Sequence, residues 1–300
     1  MPDSAASDRA RDRTHALAVM CVLALASIVI AVLGATPARV SSRELLGEPR
    51  TPGDAAFIAS HRGGAAIAPE NTLPAIASAL SSGFEYVEVD VALTADGQPV
   101  LMHDATVDRT TDGHGRLASL TLAEVRALDA GSWFDPAYKG TPVPTFQEFL
   151  DTLSGSGGRA MIELKGEWDA DAVARAIAEV TQRELESRVV FASFDARTLA
   201  FVAAETDVVS RLLILRQIPD DVVTAVGEAG ARGIVVRAAA LLDRPEIVDE
   251  LHAAGARVVV YTLNSDTQWD AATALGVDGI VTDDPHTLSE WQASSSAGQR

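Results

Sequence analysis

Between Phe57 and about residue 283, short β-branched runs alternate with Ala- and Leu-rich stretches of helical period. The runs are FIAS (57–60), YVEVDV (86–91), AMIEL (160–164), RVVFAS (188–193), RLLIL (211–215), GIVVR (233–237), RVVVYT (257–262) and GIVTD (279–283), and each reads as a strand. The stretches 72–80, 171–186, 196–204, 220–229, 245–254 and 266–275 read as helices. Thr72 with Pro74, and Asp266, mark helix starts, while Gly83, Gly230, Gly255 and Gly276 mark stops. Eight mostly apolar strands joined by helices predict a parallel sheet buried on both faces. Its economical closure is a (β/α)8 TIM barrel. The alternative, an open doubly wound sheet, lacks a glycine-rich fingerprint after the first strand.

One stretch breaks the alternation. About 92–158 is too long for an ordinary connection and is expected to be an insertion over the barrel mouth, between the second and third barrel strands. It opens with VALTADGQPVLMHD (91–104), where Asp96-Gly97 predicts a hairpin turn. RTTDGHG (109–115) reads as a tight turn, and helices are expected near 122–128 and 147–153. Upstream, residues 1–15 form a tail carrying Arg9, Arg11 and Arg13, and 16–36 form an apolar segment uncharged from Ala16 to Ala35. Residues 37–54 read as a linker, and 55–300 as the barrel domain. About 20 apolar residues suffice to span a bilayer, and a secretory signal shares the basic-then-apolar layout. The chain is therefore expected to be exported, anchored in the membrane and facing outside the cytoplasm, or secreted if the segment is cleaved. The single cysteine, Cys21, lies inside this segment, which excludes an intrachain disulfide.

A net charge of −18 excludes the basic footprint that nucleic acid or an anionic membrane surface requires. An anionic substrate would have to be met by a cation or a few aimed basic side chains. The candidates for that work cluster at strand ends, where barrel sites are built. His61 follows FIAS directly; Glu88 and Asp90, two apart, share a face of the second strand; Glu163 and Lys165 repeat the spacing on the third; His103 ends the hairpin's return. Three carboxylates at one opening call for a cation, and an all-oxygen set without cysteine favours Ca2+ or Mg2+ over zinc. The two histidines suit general acid–base work near neutrality. Helix capping accounts for Asn71 or Thr72, and Glu70 either steadies Arg62 or faces the site. Asn264 and Asp283 either line the pocket or cap the following helix, and Trp133 with Phe134 forms part of a lid or packs the insertion.

Taken together, HRGGAAIAPENT (61–72), EVDVALTADGQPVLMHD (88–104), RTTDGHG, PVPTFQEFLD (142–151), IELK (162–165) and GIVTDDP (279–285) resemble the glycerophosphodiester phosphodiesterase family. The spacing of HR with PENT, then E-x-D, then HD is specific, and the resemblance runs from about Phe57 to Pro285. It implies that His61 and His103 are the general acid and base. Glu88, Asp90 and Glu163 would hold a divalent cation, Ca2+ or Mg2+, while Arg62 and Lys165 contact phosphate. Glu70 and Asn264 are further candidates for substrate binding. The implied reaction hydrolyses a small-molecule glycerophosphodiester to sn-glycerol 3-phosphate and an alcohol. The rivals are a phospholipase of D or C type, or a lysophospholipase D, on the same barrel, and a non-catalytic ligand-binding module. Many members carry Trp before the Asn near the seventh strand's end; here the run is Tyr261-Thr262-Leu263-Asn264, a smaller aromatic wall.

Overall fold

A computed structural model describes residues 45–295. The tail, the apolar segment and residues 37–44 of the expected linker lie outside the described residues. Nine strands form one sheet: β1 (Phe57–Ser60), β2 (Tyr86–Leu93), β3 (Pro99–Leu101), β4 (Arg159–Leu164), β5 (Val189–Ser193), β6 (Ser210–Leu215), β7 (Gly233–Arg237), β8 (Arg257–Tyr261) and β9 (Gly279–Thr282). All but β3 are parallel, and β1 closes the ring by pairing with both β2 and β9. The ten helices among the described residues are α1 (Leu73–Ser82), α2 (Leu122–Arg126), α3 (Phe146–Ser154), α4 (Ala170–Gln182), α5 (Ala196–Glu205), α6 (Val222–Glu228), α7 (Ala238–Leu242), α8 (Glu246–Ala253), α9 (Asp266–Ala274) and α10 (Pro285–Ser294). The expected (β/α)8 barrel is the observed fold.

Strand parity explains the core. Side chains of one parity turn inward: Phe57 and Ala59 on β1, Tyr86 on β2, Met161 on β4, Val190 and Ala192 on β5, Leu212 and Ile214 on β6, Val235, Val259 and Val281 beyond. The other parity, such as Val87, Val89 and Val91, packs outward against the helices. Helix α4 illustrates that outer layer. Asp169 caps it by accepting from the Ala172 N–H at 2.7 Å, and Val173, Ala176, Ile177 and Val180 form its buried stripe.

The insertion begins as a hairpin that shares an edge of β2. That edge pairs with β1 at Tyr86–Val87 and with β3 at Val91–Leu93, while β4 takes the other edge. The Met102 N–H then donates to the Asp90 carbonyl at 3.0 Å, which delivers His103 to the mouth. A satellite core of Val100, Met102, Val107, Leu117, Val125, Ala130 and Val143 holds the rest of the insertion together.

Two expectations need correction. The segment read as a linker is in part structural: Leu45 and Leu46 are buried among the inward-facing residues at the amino end of the barrel. The Tyr86 hydroxyl donates to the Leu45 carbonyl, and the Arg257 guanidinium donates to the Gly47 carbonyl at 2.6 and 2.9 Å. The polar composition of 37–54 hid two leucines that stabilise by roughly 1.5–3 kcal/mol each once buried. The other correction adds helices α7 and α10, which were not expected. Asp284 caps α10 by accepting from the Thr287 N–H at 3.1 Å, and Pro285 sits in its first turn.

Asp278 ties this closed end together. It is fully buried and accepts from the Arg50 N–H at 3.0 Å, the Val258 N–H at 2.7 Å and His252 Nε2 at 2.8 Å. Arg257, itself buried, lies 3.9 Å away. Asp278→Ala strands these donors in the interior. We expect it to lower unfolding free energy by about 3–5 kcal/mol, read from chemical denaturation; a loss below about 1 kcal/mol would remove this role.

Candidate active site

The inward parity that fills the barrel with apolar side chains ends, at the carboxyl face, on charged ones. His61 continues β1, Glu88 and Asp90 continue β2, and Glu163 and Lys165 continue β4. These residues line one cavity of about 430 Å³ together with Arg62 and His103. A volume of that size holds a small organic ligand.

The turn after β1 is built with care. Arg62 adopts a left-handed backbone (φ 53°), uncommon for a residue with a side chain. Its N–H donates to Glu88 Oε2 at 2.8 Å, which fixes the turn to β2. Gly63 follows at φ +85°, and a β-carbon there would sit 2.9 Å from the Ala75 backbone of α1, so only glycine fits. Asn71 is also left-handed (φ 55°), and its side chain clamps β2. Its Nδ2 donates to Asp90 Oδ2 at 2.9 Å, and its Oδ1 accepts from the Asp90 N–H at 3.0 Å. The capping account of Asn71 and Thr72 is therefore replaced. Thr72 begins α1 without a side-chain cap bond, donating instead to the Pro69 carbonyl at 2.6 Å.

Ligand oxygens of Glu88, Asp90 and Glu163 lie within 4.8 Å of one another. Asp90 and Glu163 are register partners on adjacent strands, so their closeness follows from the sheet itself. Burial and the Asp90 charge push Glu88 up to about 7. Burial, with Asp90, raises Glu163 as well. Asp90 is also buried, yet Lys165 and Arg62 outweigh that and hold it below its ordinary value. Lys165 Nζ stands 2.9 Å from Glu163 and 3.4 Å from Asp90, and Arg62 Nε stands 3.3 Å from Asp90. Glu163 Oε1 is buried without a well-directed hydrogen bond despite the nearby ammonium. Crowded hard oxygens, one of them unsatisfied, fit a divalent cation with ligand distances of about 2.0–2.6 Å.

Each histidine is backed by a carboxylate. His61 Nδ1 lies 2.6 Å from Asp283 Oδ1, and Asp283 Oδ2 accepts from Asn264 Nδ2 at 2.6 Å. His103 Nδ1 lies 2.7 Å from Asp104 Oδ1. With Nδ1 engaged in both rings, Nε2 is the nitrogen left for chemistry. Their surroundings pull the two apart. Burial lowers His61, but the Asp283 hydrogen bond and the Glu88 charge more than offset it, and its pKa is raised. Burial lowers His103, Arg62 and Lys165 add to that, and its pKa falls.

These features have counterparts among known proteins. A sequence profile of the glycerophosphoryl diester phosphodiesterase family matches residues 61–287. The chain belongs to this family. A glycerophosphodiester phosphodiesterase from Caldanaerobacter subterraneus subsp. tengcongensis is 30% identical over 239 residues, covering 77% of this chain and 96% of the relative. A phosphodiesterase from Oleispira antarctica, solved in complex with the product sn-glycerol-3-phosphate, is 29% identical with a TM-score of 0.72; the match covers 79% of this chain and 97% of that one. A glycerophosphodiester phosphodiesterase from Agrobacterium tumefaciens is 31% identical with a TM-score of 0.67, covering 79% and 100%.

Seven of the nine expected site residues of this family member therefore surround one cavity: His61, Arg62, Glu88, Asp90, His103, Glu163 and Lys165. The other two stand behind it. Glu70 does not line the cavity but accepts from Arg62 Nη1 at 2.7 Å and from both Arg109 terminal nitrogens at 2.7 and 2.8 Å. Asn264 likewise holds Asp283, through its Nδ2 and by accepting from the Asp283 N–H at 2.9 Å. Trp133 and Phe134 are outside the cavity, and Trp133 donates to the Ala130 carbonyl at 2.9 Å within the insertion.

Asp104 and Arg109 were missed. Arg109 Nε donates to Asp104 at 2.6 Å, completing a chain from His103 through Asp104, Arg109 and Glu70 to Arg62. Arginine in a turn motif five residues past Asp104 carried the signal, and only the fold reveals its partners. The Asp283 and Asp104 contacts raise the pKa of their histidines. Asp283→Asn should thus lower the His61 pKa and Asp104→Asn should lower that of His103 further, each read by NMR titration of the imidazole. An unmoved titration would remove the carboxylate from that role.

Proposed function

We propose that this protein hydrolyses glycerophosphodiesters to sn-glycerol 3-phosphate and an alcohol, using His61 and His103 as acid and base with a divalent cation in the acidic cluster. One observation carries the reading: two carboxylate-backed imidazoles and three crowded carboxylates line the same cavity. The sn-glycerol-3-phosphate held by the Oleispira antarctica relative supports the product assignment.

The raised His61 and lowered His103 divide the roles. His103, neutral near pH 7, takes the proton from the nucleophile, which is water, or the neighbouring glycerol hydroxyl, whose attack closes a cyclic phosphate that a water then opens to sn-glycerol 3-phosphate. The nucleophile's oxygen forms a bond to phosphorus while the bond to the alcohol oxygen breaks. His61, protonated against Asp283, gives its proton to the departing alkoxide. Arg62 and Lys165 face the phosphate oxygens, where arginine's fork forms paired charge-assisted hydrogen bonds. Glu88, Asp90 and Glu163 would hold Ca2+ or Mg2+, which supplies Lewis-acid neutralisation of the phosphate and orientation of the glycerol end.

His61→Ala and His103→Ala should each cut kcat on glycerophosphocholine by about 10²–10⁴ with the fold retained; wild-type rates in both would end the acid–base reading. Dialysis against a chelator should abolish turnover and added Ca2+ or Mg2+ restore it, whereas full activity in chelator would remove the cation. Loss of turnover on glycerophosphocholine with cleavage of lysophosphatidylcholine would move the substrate class to lysolipids.

The two imidazoles also set the pH profile. As pH rises, kcat/KM should climb while His103 deprotonates below the ordinary 6.5, then fall as His61 deprotonates above it. A profile flat from about pH 5 to 8 would contradict this division. The site acts outside the cytoplasm in this reading, on the strength of the basic-then-apolar N-terminal sequence. Cell fractionation that finds the full chain free in the cytosol would overturn that placement.

A further inference from the structure

The cavity has a second wall that the proposed chemistry leaves unused. Around the ring, β6 stands opposite β1 and β7 stands opposite β2. The inward parity that yields Glu88 and Asp90 on β2 yields Arg216 just past β6 and Arg237 at the end of β7. Both line the same cavity as the acidic cluster, beside Phe194 and Tyr261. Arg216 is held in place by its guanidinium, 4.3 Å above the centre of the Phe194 ring.

The two walls differ in how their cations are committed. On the near wall, Arg62 is engaged with Glu70 and Asp90, and Lys165 with Glu163 and Asp90. On the far wall neither Arg216 nor Arg237 has an ion pair among the described residues, although the chain carries 42 acidic residues against 24 basic ones. The carboxylates lining the cavity, Glu88, Asp90 and Glu163, all belong to the opposite side. Uncommitted positive charge therefore collects on the wall across the cavity from the acidic cluster, in a protein whose net charge of −18 otherwise repels anions.

We propose that Arg216 and Arg237 form a specificity subsite for a second anionic group, a carboxylate or phosphate on the alcohol portion of the diester. This rests on the phosphodiesterase reading above and narrows its substrate class. The aromatic rings of Phe194 and Tyr261 flank the subsite, and a guanidinium stacked on a ring keeps its edge free to bind an oxyanion.

Glycerophosphoserine and glycerophosphoethanolamine differ by one carboxylate, which makes their kcat/KM ratio the direct readout on the full chain with added Ca2+ or Mg2+. The wild-type ratio should favour the serine ester by at least about tenfold, since each charge-assisted contact is worth that much. R216Q/R237Q should bring the ratio to within about twofold of unity, chiefly through KM, and R216K/R237K should keep part of it. Glycerophosphoglycerol phosphate against glycerophosphoglycerol then separates phosphate from carboxylate recognition by the same ratio. A wild-type ratio near one in both pairs, or a preference that survives in R216Q/R237Q, overturns the subsite while leaving the phosphodiesterase reading intact. Failure of the wild type to cleave any of the four esters instead overturns the phosphodiesterase reading, and the subsite with it.

Discussion

Three carboxylates converge at one end of a barrel because strand pairing forces them together, and the surrounding structure must offset their repulsion. Asp90 and Glu163 are register partners on adjacent strands, and Glu88 lies one inward position deeper on β2. In a buried site such neighbours cannot all remain ionised without positive charge close by. Lys165 and Arg62 provide part of it, which is why Asp90 stays low while Glu88 and Glu163 are pushed up. The rest of the requirement is positive charge of the kind a hard cation supplies to oxygen ligands. Two of the three left-handed non-glycine residues among the described residues serve this one problem. The left-handed Arg62 and Asn71 both turn a polar group onto β2, to Glu88 and Asp90 respectively.

The histidines are tuned by the same field from different distances. His61 sits near Glu88 and Asp90 and leans on Asp283, so its proton is retained. His103 leans on Asp104, but Asp104 is itself drawn to about 2, with Arg109 and His103 outweighing its burial. At His103 burial wins over the Asp90 charge and the Asp104 hydrogen bond, because the nearby Arg62 and Lys165 charges disfavour an imidazolium as well. Two imidazoles with similar-looking partners thus end on opposite sides of their ordinary value. Arg62 and Lys165, adding to burial at His103, make that difference, and Arg109 through Glu70 fixes the guanidinium of Arg62.

What could be read from the residues was whatever depends on period. Eight apolar runs, the i, i+2 spacing of Glu88 with Asp90 and of Glu163 with Lys165, and the placement of His61 after β1 all follow from strand parity; His103 followed from the hairpin's end, and Arg62 from the family resemblance alone. Contacts between segments far apart in sequence were not legible. Asn71 looks like a helix cap from its position, and only the approach of β2 makes it a clamp on Asp90, 19 residues away. Leu45 and Leu46 sit in a polar stretch with no periodicity, and their burial depends on the barrel's amino end leaving room for them. Glu70 and Asn264 lie beside the right motifs, so their proximity to the site was visible while their role as supports was not.

The same parity that builds the reactive wall also decides what faces it. A closed barrel of eight parallel strands brings eight inward positions to its mouth, and each strand end contributes one whether or not the chemistry needs it. Strands β1, β2 and β4 present the histidine and the acids; β5 and β8 present aromatic rings; β6 and β7 present arginines. Charge is consequently segregated across the mouth: Arg62 and Lys165 offset the acidic side in part, while Arg216 and Arg237 have no ion pair among the described residues. An anion entering such a cavity meets guanidinium groups on both walls. In a chain so acidic overall, a local field of this kind is what the proposed reading requires to admit a negatively charged diester.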